Sequence, residues 1–246
     1  MGKHKVGTRE EWRAAREELA KLESEHAELG RRATEKRREL PWVPVEKQYE
    51  FDAEDGRKTL AQLFDGRSQL LAYNIMYGPD YTLGACPGCT ALADALEVTR
   101  VHLNHQDVTL VCCSRAPIDR LTAYRQRMGW TFPYVSTSAS DFPFDFGFAL
   151  TPEQIEQIPP IRDLVEDPPA GLQQWAHTIG ATLGAGLREI ATFIAFAREN
   201  ETVYHTYTVS APDPFVSAYH GWLLERTPKP TKASERRKDE YPEAQQ

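Results

Sequence analysis

Two cysteines with two residues between them, in Cys86-Pro87-Gly88-Cys89, stand between a run of apolar residues and a segment with helical patterning. Thiols at positions i and i+3 share one face of a helix's first turn, close enough to form a disulfide with little rearrangement. Pro87 suits the first helical position, where an amide hydrogen has no partner. With Cys86 near the N-cap, the free helix amides and the helix dipole favour thiolate over thiol. A thiolate attacks disulfides and peroxides, and Cys89, one turn inside and more buried, is placed to resolve the mixed disulfide. The expected catalytic pair is therefore Cys86 as nucleophile and Cys89 as resolving thiol, with Pro87 and Gly88 shaping the turn between them.

Other residues have readings of their own. Cys112 and Cys113 are adjacent at the end of an apolar segment, so their side chains point to opposite faces and only one can approach the dithiol. They read either as small buried fillers or as an auxiliary thiol that exchanges with the pair. Asn74, within an apolar run, reads as a core hydrogen bonder. Tyr77, Asp80, Tyr81 and Thr82 lie on the loop before the motif and would line its approach or pack the loop. Cys86-x2-Cys89-x12-His102-x2-His105 nearly has the spacing of a zinc finger. The two-residue histidine gap is too short, and the cysteines follow a buried strand rather than a hairpin. No metal is expected, and His102 and His105 read as residues of a helix end.

These groups must be positioned by strands and helices in alternation. Thr8 and Glu11 mark a capping box opening a helix that runs to about Arg38. Its narrow apolar stripe is Trp12, Ala15, Leu19, Leu22, His26, Leu29 and Ala33, which suits packing on the body or against the same helix of a second copy, giving a homodimer. Pro41 and Pro44 end it. Lys47–Phe51 reads as a strand with a turn at Asp52–Gly56, and Thr59–Phe64 as a short helical piece. Gln69–Met76, Asp107–Cys113 and Phe132–Ser136 read as buried strands, with helices at Thr90–His102 and Pro117–Met128 between them. That order implies parallel pairing under covering helices. Residues 137–186 read as irregular, with Phe142, Phe144, Phe146 and Phe148 in a loop that buries its own rings. Thr192–Ala197 and Thr202–Val209 form a hairpin, and Asp213–Glu225 a last helix. The expected organisation is a helical arm over 1–40, an α/β domain over 41–227 and a disordered tail over 228–246.

Beyond the CPGC dithiol, the segments LFDGRSQLLAYNIMYGPD, DVTLVCCSRAPIDRLTAYRQRMGW and FPYVSTSASDFPFDFG are informative. Over roughly residues 8–225 they resemble a bacterial thioredoxin-like family of formally unknown function, usually labelled predicted dithiol–disulfide oxidoreductase. The resemblance implies a thioredoxin-like core, a central mixed sheet flanked by helices, and thiol–disulfide exchange at the CxxC. The sequence departs from thioredoxins in having Ala85 before the first cysteine, Pro-Gly between the two, and no proline just before Thr192. The related peroxiredoxins use P-x-x-x-T-x-x-C and an arginine. Pro79 has that offset, but Thr82 lies four residues before Cys86 rather than three, and Arg188 is not clearly at the arginine position.

Charge and composition bound the partners. The chain has 246 residues and a net charge of −7. The segment 41–227 carries 13 basic against 23 acidic groups, which disfavours nucleic acid. No apolar run approaches the roughly 18 residues of a membrane helix, and the polar N-terminus is unlike a secretory signal. Clustered cysteines without such a signal suggest the cytoplasm. No dinucleotide or phosphate-binding glycine motif is present, so no organic cofactor is expected. The expected substrate is a protein or small-molecule disulfide. The alternatives are a peroxide, with Cys86 passing through sulfenic acid, or no substrate at all in a thioredoxin-fold scaffold.

Overall fold

The computed structural model describes residues 5–213, 227–228 and 236–241. Contacts divide the chain into two units, Met1–Pro41 and Trp42–Gln246.

In the first unit, α1 spans Arg9–Arg38 and opens with the expected capping box. The Glu11 amide donates to Thr8 Oγ1 at 3.2 Å, and the Thr8 amide to Glu11 Oε2 at 2.7 Å. Basic residues in the last turn complement the helix dipole. No residue of α1 is buried, and Trp12, Leu19, Leu22 and Leu29 of the stripe are exposed, as is His26.

The second unit runs β1 (Val43–Pro44), β2 (Glu50–Ala53), β3 (Gly56–Thr59), β4 (Gln69–Asn74), α2 (Pro87–His105), β5 (Val108–Ser114), α3 (Ile118–Met128) and β6 (Tyr134–Ser136). It continues with α4 (Phe142–Asp145), α5 (Pro152–Gln157), α6 (Pro159–Glu166), α7 (Ala170–Ile179), α8 (Leu183–Gly186), β7 (Thr192–Glu199) and β8 (Thr202–Ser210). Among the described residues eight strands form one sheet in the order β1-β8-β7-β4-β5-β6-β2-β3. β4, β5 and β6 pair in parallel, while β7 joins β4 antiparallel. This β4–α2–β5–α3–β6 unit followed by an antiparallel hairpin is the expected thioredoxin-like core.

Strand alternation sends side chains to two separate cores. Tyr73, Cys112 and Phe193 join Cys86, Cys89 and Tyr124 in one, whereas Leu70, Val111, Cys113, Ile194 and Phe196 join Phe51 and Phe142 in the other. Every central strand is covered on both sides, which accounts for its nearly unbroken apolar run.

Three expectations change. The strand expected at Lys47–Phe51 is displaced to Glu50–Ala53 and pairs with β3 across a turn at residues 54 and 55. The irregular segment 137–186 contains five helices, α4 to α8. Its prolines open helices rather than break them: Pro152 and Pro159 are the first residues of α5 and α6, and Pro169 caps α7. Phe142 and Phe148 do bury their rings, 5.6 Å apart, Phe142 opening α4 and Phe148 lying beyond its end. The tail is also corrected in part. Residues 236–241 are not loose: Lys238–Glu240 forms a 3-10 turn, and Arg237 is buried. Arg127 pairs with Asp239 at 2.6 Å and Glu240 at 3.0 Å, and Lys238 with Asp94 at 2.8 Å, which holds the turn to α3 and α2. The helix expected over Asp213–Glu225 lies, from residue 214 onward, outside the described residues.

Candidate active site

Strand β4 runs out at Asn74, whose side-chain amide donates to Ile190 O at 2.8 Å and ties the strand's end to the segment entering β7. The chain then makes a compact loop over residues 77–85 whose ends are drawn together, with the Cys86 amide donating to Met76 O at 2.9 Å. Tyr81 is wholly buried inside this loop and donates to Gly186 O at 2.8 Å. Arg120 reaches Pro79 O at 2.8 Å, and the Ala116 amide reaches Tyr77 O at 2.8 Å. The loop is thus fastened on both flanks, and Cys86 emerges from it at a fixed point.

Cys86 is the N-cap of α2 and Pro87 its first residue. Extended at φ −51° and ψ 129°, Cys86 ends the loop and opens the helix. Its carbonyl accepts from the Thr90 amide at 2.9 Å and from Thr90 Oγ1 at 3.0 Å. Its sulfur accepts from the indole of Trp175, whose Nε1 lies 3.3 Å away, and the Cys89 thiol and the amides of Cys89 and Gly88 also favour its charge. The Cys89 thiol is the strongest of these influences, and against the opposing effect of burial the set brings Cys86 down to about 6. Cys89 moves the other way. Its proton is shared toward Cys86, burial disfavours its charge, and a neighbouring thiolate repels a second one. These influences push the two thiols in opposite directions and favour the negative charge on Cys86. All four cysteines are free thiols, and Cys86 keeps 9% of its surface against 4% for Cys89.

The remaining sequence candidates separate clearly. Cys112 shares the core with the dithiol, and Cys113 lies on the opposite face of the sheet, beside Asn74. Burial pushes Cys112 well above the ordinary thiol range and Cys113 up to about 12, so neither is an activated sulfur. Tyr77 is buried, with Tyr124 at 5.3 Å and the Arg120 guanidinium 4.8 Å over its ring. Thr82 turns away from Cys86, its hydroxyl donating to Gly180 O at 2.7 Å. Arg188 donates to Leu150 O at 3.1 Å and lies 3.6 Å from Asp80. His102 and His105 occupy the last turn of α2, roughly 24 Å along the axis from Cys86, so the four residues cannot share an ion. Among the described residues no group of three or more His, Cys, Asp or Glu side chains is arranged to hold a metal. No helix among them is long and apolar enough to cross a membrane.

Sequence reasoning misses three residues around the dithiol. Trp175 lies in the segment read as irregular, and only the helical spacing of α7 would have marked it. Tyr73 reads as a core aromatic. Its hydroxyl is buried without a well-formed hydrogen bond and faces the Cys89 sulfur. Glu189, next to Arg188, reads as an exposed charge but is 2% exposed and pairs with Arg115 at 2.8 Å. Its second oxygen is buried without a partner, and burial pushes the carboxyl up to about 7 against the opposing pull of Arg115.

A family model described as "Bacterial protein of unknown function (DUF899)" matches residues 1–245. No curated protein matches the chain. Among solved structures, peroxidoxin BcpB from Mycobacterium tuberculosis is 12% identical, with 70% of this chain and 84% of that one covered at a TM-score of 0.45. A mutant PrxQ from Xylella fastidiosa is 14% identical, covering 74% and 87% at a TM-score of 0.45. Peroxiredoxin Q from Xanthomonas campestris is 15% identical, covering 72% and 87% at a TM-score of 0.40.

Proposed function

The chain belongs to this bacterial family of unknown function, DUF899, and we propose that it is a thiol–disulfide oxidoreductase acting through Cys86 and Cys89. The observation that supports the reading is the placement of the two cysteines: Cys86 caps the start of α2 with the Trp175 indole 3.3 Å from its sulfur, Cys89 lies in the first turn, and their surroundings push the two thiols in opposite directions. The Cys86 thiolate attacks one sulfur of a substrate disulfide, forming a mixed disulfide and expelling the other sulfur as a thiolate. Cys89 then gives up its proton and attacks Cys86. The Cys86–Cys89 bond forms, the mixed disulfide breaks, and the substrate leaves with both sulfurs reduced while the protein is oxidised by two electrons. Run backward, the same steps oxidise a substrate dithiol.

Thiol counting before and after mild oxidation tests this directly. Cys86 and Cys89 are expected to disappear together, and survival of both would leave only a thioredoxin-fold scaffold. Catalysed reduction of insulin by dithiothreitol supports exchange, whereas rapid consumption of hydrogen peroxide would assign the thiolate to a peroxidase. Thr82 and Arg188, the nearest counterparts of a peroxidase's helper residues, are engaged with Gly180, Leu150 and Asp80 instead. Free thiols suit a reducing compartment such as the cytoplasm. The exposed stripe of α1 is proposed as the contact of a homodimer. Sedimentation of a chain lacking residues 1–40 tests it, and an unchanged mass dismisses it.

A further inference from the structure

Arg237 is remote in sequence from the dithiol, yet its side chain ends beside it. The residue is 3% exposed. Nε and Nη2 both donate to Ala85 O, at 3.1 and 2.7 Å, gripping the peptide that leads into Cys86. Nη2 also donates to Thr178 O at 3.0 Å, in the last turn of α7. Thr178 in turn donates through its hydroxyl to Trp175 O at 2.6 Å, and the Trp175 indole donates to the Cys86 sulfur. A third branch runs from Nε to the Tyr124 hydroxyl at 3.1 Å, which shares a 2.8 Å hydrogen bond with Thr90 Oγ1. Thr90 is the residue that binds the Cys86 carbonyl.

One planar guanidinium therefore joins the peptide before the nucleophile, the helix that carries its indole donor, and the first turn of α2. Few side chains can do this. Lysine has a single nitrogen, whereas arginine's fork serves two carbonyls and a hydroxyl in fixed directions. The backbone is shaped to receive it. At Gly84, φ is +127°, and a Cβ there would lie 3.1 Å from the Arg237 Nε and 2.9 Å from the Tyr124 ring. The charge is matched by Glu240, 2.8 Å from Nη1, and Glu240 and Asp239 are held in turn by Arg127.

We propose that Arg237 is a positioning residue for Cys86: the C-terminal turn locks the Ala85–Cys86 peptide to α7 and so keeps the Trp175 indole aimed at the reactive sulfur. This deepens the exchange reading and rests on it. Arg237 does not touch the sulfur and acts through Ala85, Thr178 and Tyr124. Without the fork, the backbone of α7 and the loop end remain joined, among the described residues, by the Thr82 and Leu83 hydrogen bonds to Gly180 and Ile179, with Tyr81 packed on Trp175. The indole is then free to drift, and the sulfur loses a donor.

The test is the pH dependence of alkylation of Cys86 by iodoacetamide in the full-length chain, followed by peptide mass spectrometry, for wild type, Arg237→Gln and Arg237→Lys. Each protein's thermal midpoint is measured alongside. Arg237→Gln is expected to move the alkylation midpoint up by about one unit, roughly a tenfold lower thiolate fraction on the acid side. Arg237→Lys, which keeps the charge but not the fork, is expected to fall between the two. A midpoint in Arg237→Gln equal to wild type overturns the positioning role even if the protein melts earlier, since a purely structural arginine lowers stability without moving the titration. Should Arg237→Gln fail to fold, an unchanged midpoint in Arg237→Lys does the same. A wild-type midpoint near the ordinary thiol value of about 8.5 instead sinks the exchange reading itself, and with it the role assigned to Arg237.

Discussion

The indole nitrogen of Trp175 sits 3.3 Å from the sulfur of Cys86, although 89 residues separate them. An N–H donor at that distance is satisfied far better by a thiolate than by a thiol, so the contact discriminates between the two forms. It also sets an aromatic side chain against that sulfur. On the proposed reading Trp175 both stabilises the charge and walls the approach.

Replacing Trp175 with phenylalanine keeps the wall and removes the donor. The Cys86 midpoint is expected to rise by about half a unit to one unit, the scale of one hydrogen bond to a charged group. Alkylation rate against pH reads the shift, and an unaltered midpoint would show that the indole contributes only packing.

The Cys89 thiol is the strongest influence on Cys86, so Cys89→Ala should have the larger effect, raising the midpoint by about one to two units. Cys89→Ser retains a hydroxyl donor and should recover much of the wild-type value. If alanine and serine behave alike, the thiol's hydrogen bond is not what holds the charge.

The four cysteines should react very unequally in the native protein. At pH 7 Cys86 is expected to be labelled first, Cys89 slowly, and Cys112 and Cys113 only on unfolding, because burial raises both of the latter. Time-resolved labelling with mass readout checks the order. Early modification of Cys112 would revive it as an auxiliary thiol.

Glu189 gives the fold a pH dependence of its own. Its folded carboxyl is raised to about 7 by burial, so the folded state binds the proton more tightly than the unfolded chain does. The stability it supplies is full below the unfolded carboxylate value of about 4.3 and is lost as pH rises through about 7, by at most about 4 kcal/mol. Urea unfolding from pH 4.5 to 8 should show this decline. Glu189→Gln should flatten it, and an equally steep profile in the variant would assign the dependence to other groups.

Much of this architecture can be read from residue order. The apolar runs at Gln69–Met76 and Asp107–Cys113 become β4 and β5 because strands covered on both faces leave little room for polar side chains. The Cys86 N-cap follows from Pro87, whose fixed φ and missing amide hydrogen suit only a helix start. Pro152, Pro159 and Pro169 carry the same signal for α5, α6 and α7, since clustered prolines mark helix openings as well as loops. What local pattern does not carry is long-range satisfaction of polar groups. Glu189 and Arg237 are charged residues in polar surroundings along the chain, and their burial depends on Arg115 and on the carbonyls of Ala85 and Thr178, which are distant in sequence. Trp175 is of the same kind, an ordinary amphipathic-helix aromatic until the fold brings Cys86 beneath it.

The Trp175 indole and the α2 amides that favour charge on the Cys86 sulfur have a thermodynamic corollary. They favour an anion that exists only while the pair is reduced, and a closed Cys86–Cys89 bond offers them a much poorer acceptor. Whatever they contribute is withdrawn on oxidation, so the equilibrium tilts toward the dithiol and the oxidised protein becomes the more eager electron acceptor. On the proposed exchange reading, such a couple favours the reverse of those steps, in which the pair gives its disulfide to a partner dithiol.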